Sequence, residues 1–295
     1  MCFPSVLRHL AKGFGGWHAC LRRWKESFLN TTRHVTGQGG FANRFGMSEI
    51  CQKDLPEEMH VMRALPGIQP LEMSDWLRVD DAYAAQMCER IRLMGAQRDD
   101  VRAAIDSSEP AVDEAFEAIV AQVQTLEGFT RVGDHMFCPD GRSVDLNGEP
   151  LIVIGHLIQE DICILERPDG LDEHILSAAI LCFPAHWTLS EKIGKPMGRI
   201  HQPVDEYDEN IRRRVQRLFD GVQVGRPLWR FNRAYSGATL YQPRLEKDYS
   251  EYDPSKVNDF LRSERQVLVR LPNSKAVIFS IHTYVIDQRE IGESS

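Results

Sequence analysis

The sequence lacks the short patterns that most directly reveal a protein's chemistry. It contains no G-x-G-x-x-G or G-x-x-x-x-G-K-[ST] phosphate-binding pattern, no H-E-x-x-H zinc motif and no G-x-S-x-G nucleophile motif. Each of these is a segment whose backbone or side chains hold a phosphate, a metal or a nucleophile. Nucleotide-binding, zinc-protease and esterase functions are therefore unsupported.

Long apolar runs and paired cysteines are also missing. No run approaches the roughly 20 apolar residues of a membrane-spanning helix, and the longest ones, residues 151–154 and 175–183, are the size of strands. The cysteines are odd in number and form no C-x-x-C pair, which argues against a zinc cage or a disulfide framework and for a reducing compartment. They occupy positions 2, 20, 51, 88, 138, 163 and 182.

Acidic residues are scarce only at the start of the chain. Residues 1–46 hold seven Lys or Arg and one acid, a charge of +6, so the remaining residues carry −8 − 6 = −14. An acidic body of this kind repels nucleic-acid phosphates. We therefore expect no nucleic-acid partner.

The basic leader, residues 1–46, has two possible origins. Its arginines and aromatic residues are typical of a mitochondrial transit peptide or a surface amphipathic helix. Alternatively, the segment arises from an upstream start, with Met47 as the start of the protein. We expect residues 47–295 to form one domain in the cytoplasm, or in mitochondria if the leader is a transit peptide.

Hydrophobic periodicity predicts helices in the first half of the body. Tyr83, Met87, Ile91 and Met94 recur at spacings of four, four and three residues, which places them on one helix face. A second stripe starts near Pro110 and ends before Gly128, and we interpret both stripes as core. This second stripe consists of Val112, Phe116, Ile119, Val123 and Leu126.

The second half of the chain favours antiparallel strands. Residues 161–166 and 174–183 are rich in apolar and β-branched side chains and are joined by the turn sequence ERPDG, which predicts a hairpin. A second hairpin is expected from residues 266–271 and 276–286, and a strand from residues 228–231. Together with the helices, these elements predict a mainly antiparallel α+β fold.

Two further helices are expected between the hairpins. Thr188 and Glu191 fit a T-x-x-E capping box that opens a short helix. A longer helix, over residues 206–219, carries the basic run Arg212, Arg213 and Arg214. This run is either a solvated face or a docking site for a redox partner.

Rare residues cluster in residues 182–207 and 227–232, which include His186, Trp187, His201 and Trp229. Because buried Trp and His side chains each need a polar partner, this clustering suggests a ligand pocket. Five ordered blocks that include these segments resemble the alpha-subunit family of haem-dependent oxidative N-demethylases. The blocks are QPLEMSDWLRVDD (69–81), QEDICILER (159–167), CFPAHWTLSEKIGKPMGRIHQPV (182–204), GRPLWRFN (225–232) and RSERQVLVRLPNSKAVIFSIHTYV (262–285).

The resemblance implies a PAS-like fold that holds haem b. The implied activity is oxidative N-demethylation of a small secondary amine such as dimethylamine, in the manner of a monooxygenase that uses O2. No segment could bind a flavin or an iron–sulfur cluster, so NADPH, FMN and a 2Fe-2S centre would act through a separate reductase. A non-catalytic haem sensor is the alternative, because one fold hosts both functions. The chain departs from the family pattern at Arg233, where a second aromatic is expected.

His201 is the candidate axial ligand of the haem iron, because the resemblance places the ligand in the HQPV block. The neighbouring Gly198, Pro196 and Pro203 predict an extended backbone that directs the imidazole into a cavity. The alternative is an ordinary surface or core histidine. His186 is the rival ligand, although Pro184 before it suggests a structural corner.

Four residues are candidates for contact with the rest of the haem. Arg230 and Arg265 suit the propionates because a guanidinium binds a carboxylate in bidentate fashion. Ion pairs with Glu160, Asp161 or Glu264 are the alternative. Trp229 and Asn232 flank the same segment and either pack the macrocycle or hold a loop.

Glu160 and Asp161 are the candidate partners of a cationic amine. A desolvated ammonium must be paired with a negative charge. Against this assignment, an adjacent acid pair at a strand start often faces water, and only one of the two can face a pocket.

Overall fold

The computed structural model describes residues 50–63, 67–201, 209–248 and 259–291. The leader and its boundary at Met47 lie outside these ranges. Within them, no helix combines the length and apolar character needed to cross a membrane.

The helices precede and interrupt a large sheet. In chain order they are α1 (Tyr83–Ala96), α2 (Arg98–Val101), α3 (Glu109–Val123), α4 (Pro150–Leu157), α5 (Met197–His201), α6 (Glu209–Gly221) and α7 (Gln288–Ile291). Short 3-10 turns cover Glu57–Met59, Met73–Asp75, Asp106–Ser108, Leu189–Glu191 and Glu246–Asp248.

The strands form two antiparallel sheets. They are β1 (Gln69–Pro70), β2 (Arg102–Ala104), β3 (Thr130–Val132), β4 (His135–Phe137), β5 (Ser143–Asp145), β6 (Asp161–Glu166), β7 (Ile175–Ile180), β8 (Leu228–Ser236), β9 (Phe260–Arg270) and β10 (Val277–Asp287). The large sheet has the order β1-β8-β9-β10-β6-β7-β2, and β3, β4 and β5 form the small one. The mixed α+β fold predicted from the sequence is therefore confirmed.

The predicted helical stripes and hairpins are present. Tyr83, Met87 and Met94 of α1 are buried, as are Val112 and Ile119 of α3. The β6–β7 and β9–β10 pairs are antiparallel hairpins. Successive residues of these strands point to opposite faces of the sheet, and both faces are buried. The strands therefore appear in the sequence as nearly continuous hydrophobic runs.

Helices cover both faces of the large sheet. On one face, side chains of α1, α3 and α4 pack with Ile162, Val267 and Ile278. On the other, side chains of α5 and α6 pack with Leu268 and Phe279. The sheet is thus the middle layer of three, and any site on it lies beneath a helix.

Two local predictions were wrong. Residues 151–154 are not a strand but part of α4, because the Glu149 carboxylate accepts hydrogen bonds from the first free backbone N–H groups and Pro150 suits the first turn. Thr188 precedes a single 3-10 turn and its side chain makes no capping hydrogen bond, so the expected capping box does not form.

Candidate functional site

The strand register divides the predicted haem-contacting residues between the two faces of the sheet. Arg230 pairs with Gln266, whereas Phe231 pairs with Arg265. Directly paired residues share a face and successive residues alternate. We call the face with Arg230 and Gln266 the front face, and the face with Arg265 the back face. Because Arg230 and Arg265 lie on opposite faces, they cannot together hold the two propionates of one haem.

The front face, on which α6 packs, carries a buried polar cluster. Its members, which we call the front cluster, are Arg230, Asn232, Glu264, Gln266 and Thr283, each no more than 6% exposed. Asn232 Nδ2 and Gln266 Nε2 donate to the same oxygen of Glu264, at 3.1 and 3.2 Å. The first bond joins β8 to β9 and the second lies within β9. Glu264 also pairs with Arg262 at 3.6 Å, and the Arg262 guanidinium donates to the carbonyls of Phe183 and Leu240.

Two neutral atoms of the front cluster have no hydrogen-bond partner among the described residues. They are Gln266 Oε1 and Thr283 Oγ1, and both are inaccessible to solvent. Leaving a buried polar atom unpaired costs about 1–3 kcal/mol, so such atoms indicate a place where a polar ligand or water binds.

A small gap separates α6 from this part of the sheet. It has a volume of about 10 Å³ and is lined by residues that include Leu218, Arg230 and Gln266. That volume is the size of one water molecule, so the gap identifies a position and not a complete ligand pocket. A larger apolar groove of about 370 Å³ lies beside α3 and is lined by none of the predicted site residues.

His201 is the last residue of α5, which packs on the front side. The backbone there is helical, so the predicted extended conformation was wrong. The His201 side chain and residues 202–208 lie outside the described part of the chain. The structure does show how both ends of α5 are held in place.

The two ends of α5 are held by buried polar contacts. At its start, Gly198 N–H donates to Glu173 Oε2 at 2.5 Å, and a side chain at Gly198 would collide with Glu173 and Arg212. At its end, Lys192 Nζ donates to the Ile200 carbonyl at 2.9 Å and pairs with Glu246 at 2.6 Å. These contacts fix the backbone immediately before His201.

His186, the rival ligand, occupies a strained corner. Its φ is 61°, in the left-handed region that non-glycine residues seldom adopt. Burial and the neighbouring guanidinium groups of Arg262 and Arg244 lower the pKa of His186 to about 3. The imidazole is therefore neutral at physiological pH, and the corner interpretation agrees with the backbone.

The back face carries a charged network, which we call the back cluster. His282 is fully buried and lies between two carboxylates, with Nδ1 3.0 Å from Glu160 and Nε2 2.9 Å from Asp80. Burial alone would lower the pKa of His282, but Tyr284, Glu160 and Asp80 together raise it well above its ordinary value. The raised pKa favours the imidazolium form of His282, which lies between these two carboxyl groups.

The back cluster fastens residues 75–80 to the sheet. Glu160 accepts a hydrogen bond from Arg78 N–H at 2.9 Å. Arg265 donates to the carbonyls of Trp76 and Asp75, at 3.0 and 2.6 Å. Burial and the adjacent Arg78 lower the pKa of Arg265 to about 10. This network has an evident structural role.

Asp161 is fully occupied by protein contacts. Its carboxylate, which is completely buried, accepts hydrogen bonds from Arg90 at 2.6 Å and from the backbone N–H groups of Cys182 and Phe183 at 2.7 and 2.8 Å. Arg90, on α1, is completely buried together with Asp161 in this ion pair.

The family comparison gives this geometry a context. A family model described as haem-dependent oxidative N-demethylase, alpha subunit-like, matches residues 67–295. The chain belongs to this family. The match begins two residues before the first of the five sequence blocks, and the resemblance identified from those blocks is confirmed.

The front face of this N-demethylase-like chain suits a haem by its chemistry. A guanidinium at Arg230 matches a propionate. Gln266 beside it, and Thr283 on the same face two strands away, each have a polar atom with no partner among the described residues. A haem iron needs only an axial side chain from the protein, and α5 ends in a histidine on this side. No group of three or more His, Cys, Asp or Glu side chains that could hold a metal ion occurs among the described residues.

The other predicted site residues of this family member are distributed over both faces. Trp229 lies on the back face, stacked with Phe231 at 6.1 Å, and the Arg265 guanidinium lies over its ring. Asn232 belongs to the front cluster. Arg233, the departure from the family pattern, contacts Phe231 and the Met59 carbonyl. It therefore alters the back-face wall and not the front cluster.

The sequence did not single out His282, Gln266 or Thr283, and it indicated Glu264 only as an ion-pair partner of the two arginines. His282 lies 122 residues from Glu160 and 202 residues from Asp80, so no local pattern connects them. The available signal was the alternation of polar residues along the last two strands, which places polar side chains on both faces of an otherwise apolar hairpin.

Proposed function

We propose that this protein binds haem b at the front face and catalyses oxidative N-demethylation of a small secondary amine. In the proposal His201 is the axial iron ligand and Arg230 pairs with a propionate. Gln266 and Thr283 give polar contacts to the bound haem or to water beside it. The observation that carries the proposal is a buried polar cluster, with unpaired atoms, on the face that α5 and α6 cover.

The fold supports the same position. Counted from β6, the five long strands have the sheet order 2-1-5-4-3, and α5 and α6 lie in the connection between the second and third of them. This antiparallel sheet with helices packed on it is compatible with a PAS-like domain, which the proposal adopts. The haem would thus lie between the sheet and the helix that ends in its ligand.

The reaction requires electrons from outside the chain. Demethylation of dimethylamine consumes one O2, one NADPH and one proton, and yields methylamine, formaldehyde, water and NADP+. The haem would supply oxygen activation. A partner reductase with FMN and a 2Fe-2S centre would pass electrons from NADPH, because the sequence contains no motif for binding these cofactors.

Glu264 is the carboxylate that best suits the ammonium form of the substrate in this proposal. Asp161 is saturated by Arg90 and two backbone N–H groups. Glu160 keeps one oxygen without a partner among the described residues, but it lies on the back face, across the sheet from the proposed haem. Glu264 already pairs with Arg262 at 3.6 Å, but it lies on the same face as the proposed haem, so we place the amine there and keep Glu160 as the alternative.

Turnover by the purified full-length chain tests the proposal. We expect haem to co-purify, and formaldehyde to form from dimethylamine only when NADPH and a flavin and 2Fe-2S reductase are supplied. Glu264→Gln should raise KM at least about tenfold with unchanged haem content, because it removes the charge that pairs with the ammonium. Absence of haem would contradict the proposal. Full haem loading and reduction with no turnover over a panel of small amines would instead support the sensor.

A further inference from the structure

Helix α6 presents a basic arc to solvent. Arg213, Arg214 and Arg217 are exposed, and at 3.6 residues per turn they span an arc of about 100°. The opposite side of the helix carries Val215 and Phe219, which are buried. Within the described part of the chain, none of the three arginines forms a hydrogen bond or an ion pair. By contrast, Arg212 on the neighbouring ridge pairs with Glu173.

This basic arc stands out on an acidic protein. The chain has a net charge of −8, so most of its surface repels an acidic partner. Three exposed guanidinium groups on one arc, unpaired within the described part of the chain, attract such a partner to a single orientation. The charge pattern therefore fits a protein with an acidic docking face, and disfavours a nucleic acid or a basic partner.

The arc also lies close to the proposed haem position. Leu218, half-buried on the flank of α6 between Arg214 and the buried Val215, lines the gap that Arg230 and Gln266 also border. At most the width of one helix, about 10 Å, therefore separates the arc from this gap. An electron-donor protein bound to the arc would therefore be separated from the front face by no more than this one helix.

We propose that Arg213, Arg214 and Arg217 form the docking site for an acidic electron-donor protein of the [2Fe-2S] ferredoxin class. The inference rests on the proposed function, which requires electrons from another chain. A [2Fe-2S] donor gives one electron per docking event and is itself oxidised. Two docking events therefore supply the two electrons that one demethylation consumes.

Charge reversal on the arc tests this docking site. The variant is Arg213→Glu with Arg217→Glu, and the matched control is Arg63→Glu with Arg131→Glu, two exposed arginines that are not part of α6. Both pairs change the net charge equally. The probe is a reduced, acidic plant-type [2Fe-2S] ferredoxin. The first readout is the Kd of this ferredoxin for the full chain, measured by calorimetry at about 20 and 200 mM salt. The second is the rate at which the ferredoxin reduces the haem, measured by stopped-flow, with dithionite as a small-molecule reference reductant.

For the unmodified chain we expect binding that weakens at least tenfold at the higher salt. The α6 variant should bind at least tenfold more weakly at low salt and lose most of the salt dependence, while the control stays within twofold. Haem reduction by ferredoxin should likewise be slower in the α6 variant than in the control and the unmodified chain. Reduction by dithionite should be equally fast in all three proteins. Equal affinities of the two variants would overturn the docking site. A chain that binds no haem would overturn the proposed function instead, and the Kd measurement would still decide the docking site.

Discussion

The two faces of the central sheet both bury polar side chains, but they use them differently. The back cluster is connected to another part of the chain, because His282, Glu160 and Arg265 all bond to residues 75–80. The front cluster is held mainly by bonds from Asn232 and Gln266 to Glu264, and it reaches other segments through Arg262, which pairs with Glu264 and donates to the Phe183 and Leu240 carbonyls. The first arrangement fastens a loop, whereas the second leaves the neutral side-chain atoms Gln266 Oε1 and Thr283 Oγ1 without a partner among the described residues.

This difference separates a structural network from a ligand site more clearly than burial or charge alone. Glu160 and Asp161 are conspicuous acids, yet both hold neighbouring backbone in place. Gln266 and Thr283 are inconspicuous in the sequence, yet their buried unpaired atoms have no structural explanation among the described residues. If the comparison is correct, changes on the back face should damage stability, and changes on the front face should damage ligand binding.

The largest effect is expected from His282→Ala. This change removes the imidazolium from between Glu160 and Asp80 and leaves two buried carboxylates facing each other, which should cost about 3–5 kcal/mol of unfolding free energy. The front-face counterpart, Gln266→Ala, should cost about 1 kcal/mol, because Glu264 keeps its bond from Asn232. Urea denaturation of both variants measures the difference. Equal losses would mean that the front cluster also serves to hold the fold.

The back cluster should also make stability depend on pH. The folded pKa of His282 is raised, so its contribution is complete below the unfolded value of about 6.5 and is lost as pH rises through the folded value. The pKa of Asp80 is lowered, although burial opposes this, because His282 and two glutamines bond to its carboxylate. Its contribution is therefore complete above about pH 4 and is lost as pH falls through the folded value.

The network should consequently stabilise the protein most between about pH 4 and 6.5. The urea midpoint of the unmodified chain, compared with that of His282→Gln at pH 5.5 and pH 9, measures this dependence. The gap between the two proteins should be larger at pH 5.5. A gap that is the same at both pH values would show that His282 is not protonated between its two carboxylates.

The smallest effect comes from two matched changes on strand β10. Ser280 lies on the back face and accepts a hydrogen bond from the Trp76 indole at 3.0 Å, so Ser280→Ala should cost about 1 kcal/mol. Thr283 lies on the front face with an unpaired hydroxyl, so Thr283→Val should leave stability unchanged or slightly higher. In the same preparations Thr283→Val should lower haem retention and Ser280→Ala should not. The reverse pattern would place the ligand on the back face.

Much of the fold could be predicted because its signals are local. The stripes of α1 and α3 and the two hairpins follow from periodicity and turn residues. Residues 151–154 were misread because an apolar run of four fits a strand or a buried helix, and the decision came from Glu149 and Pro150 just before it.

The site was less predictable because it depends on register. Arg230 and Arg265 each lie on a predicted strand, but their faces follow from the pairing of Phe231 with Arg265. A shift of the strand pairing by one residue would move every side chain of the strand to the opposite face, and the sequence alone does not specify the pairing. Contacts such as that between His282 and Asp80 join distant segments and become visible only in three dimensions.

The most direct measurement of the haem position is the absorption spectrum and haem content of His201→Ala, beside the unmodified chain and His186→Ala. A coordinating imidazole both retains the haem and sets the electronic state of the iron. His201→Ala should therefore purify folded but haem-poor, with an altered Soret band that added imidazole partly restores, while His186→Ala keeps the original spectrum. A native spectrum in His201→Ala together with loss of the haem in His186→Ala would assign the ligand to His186 and contradict the proposed role of helix α5.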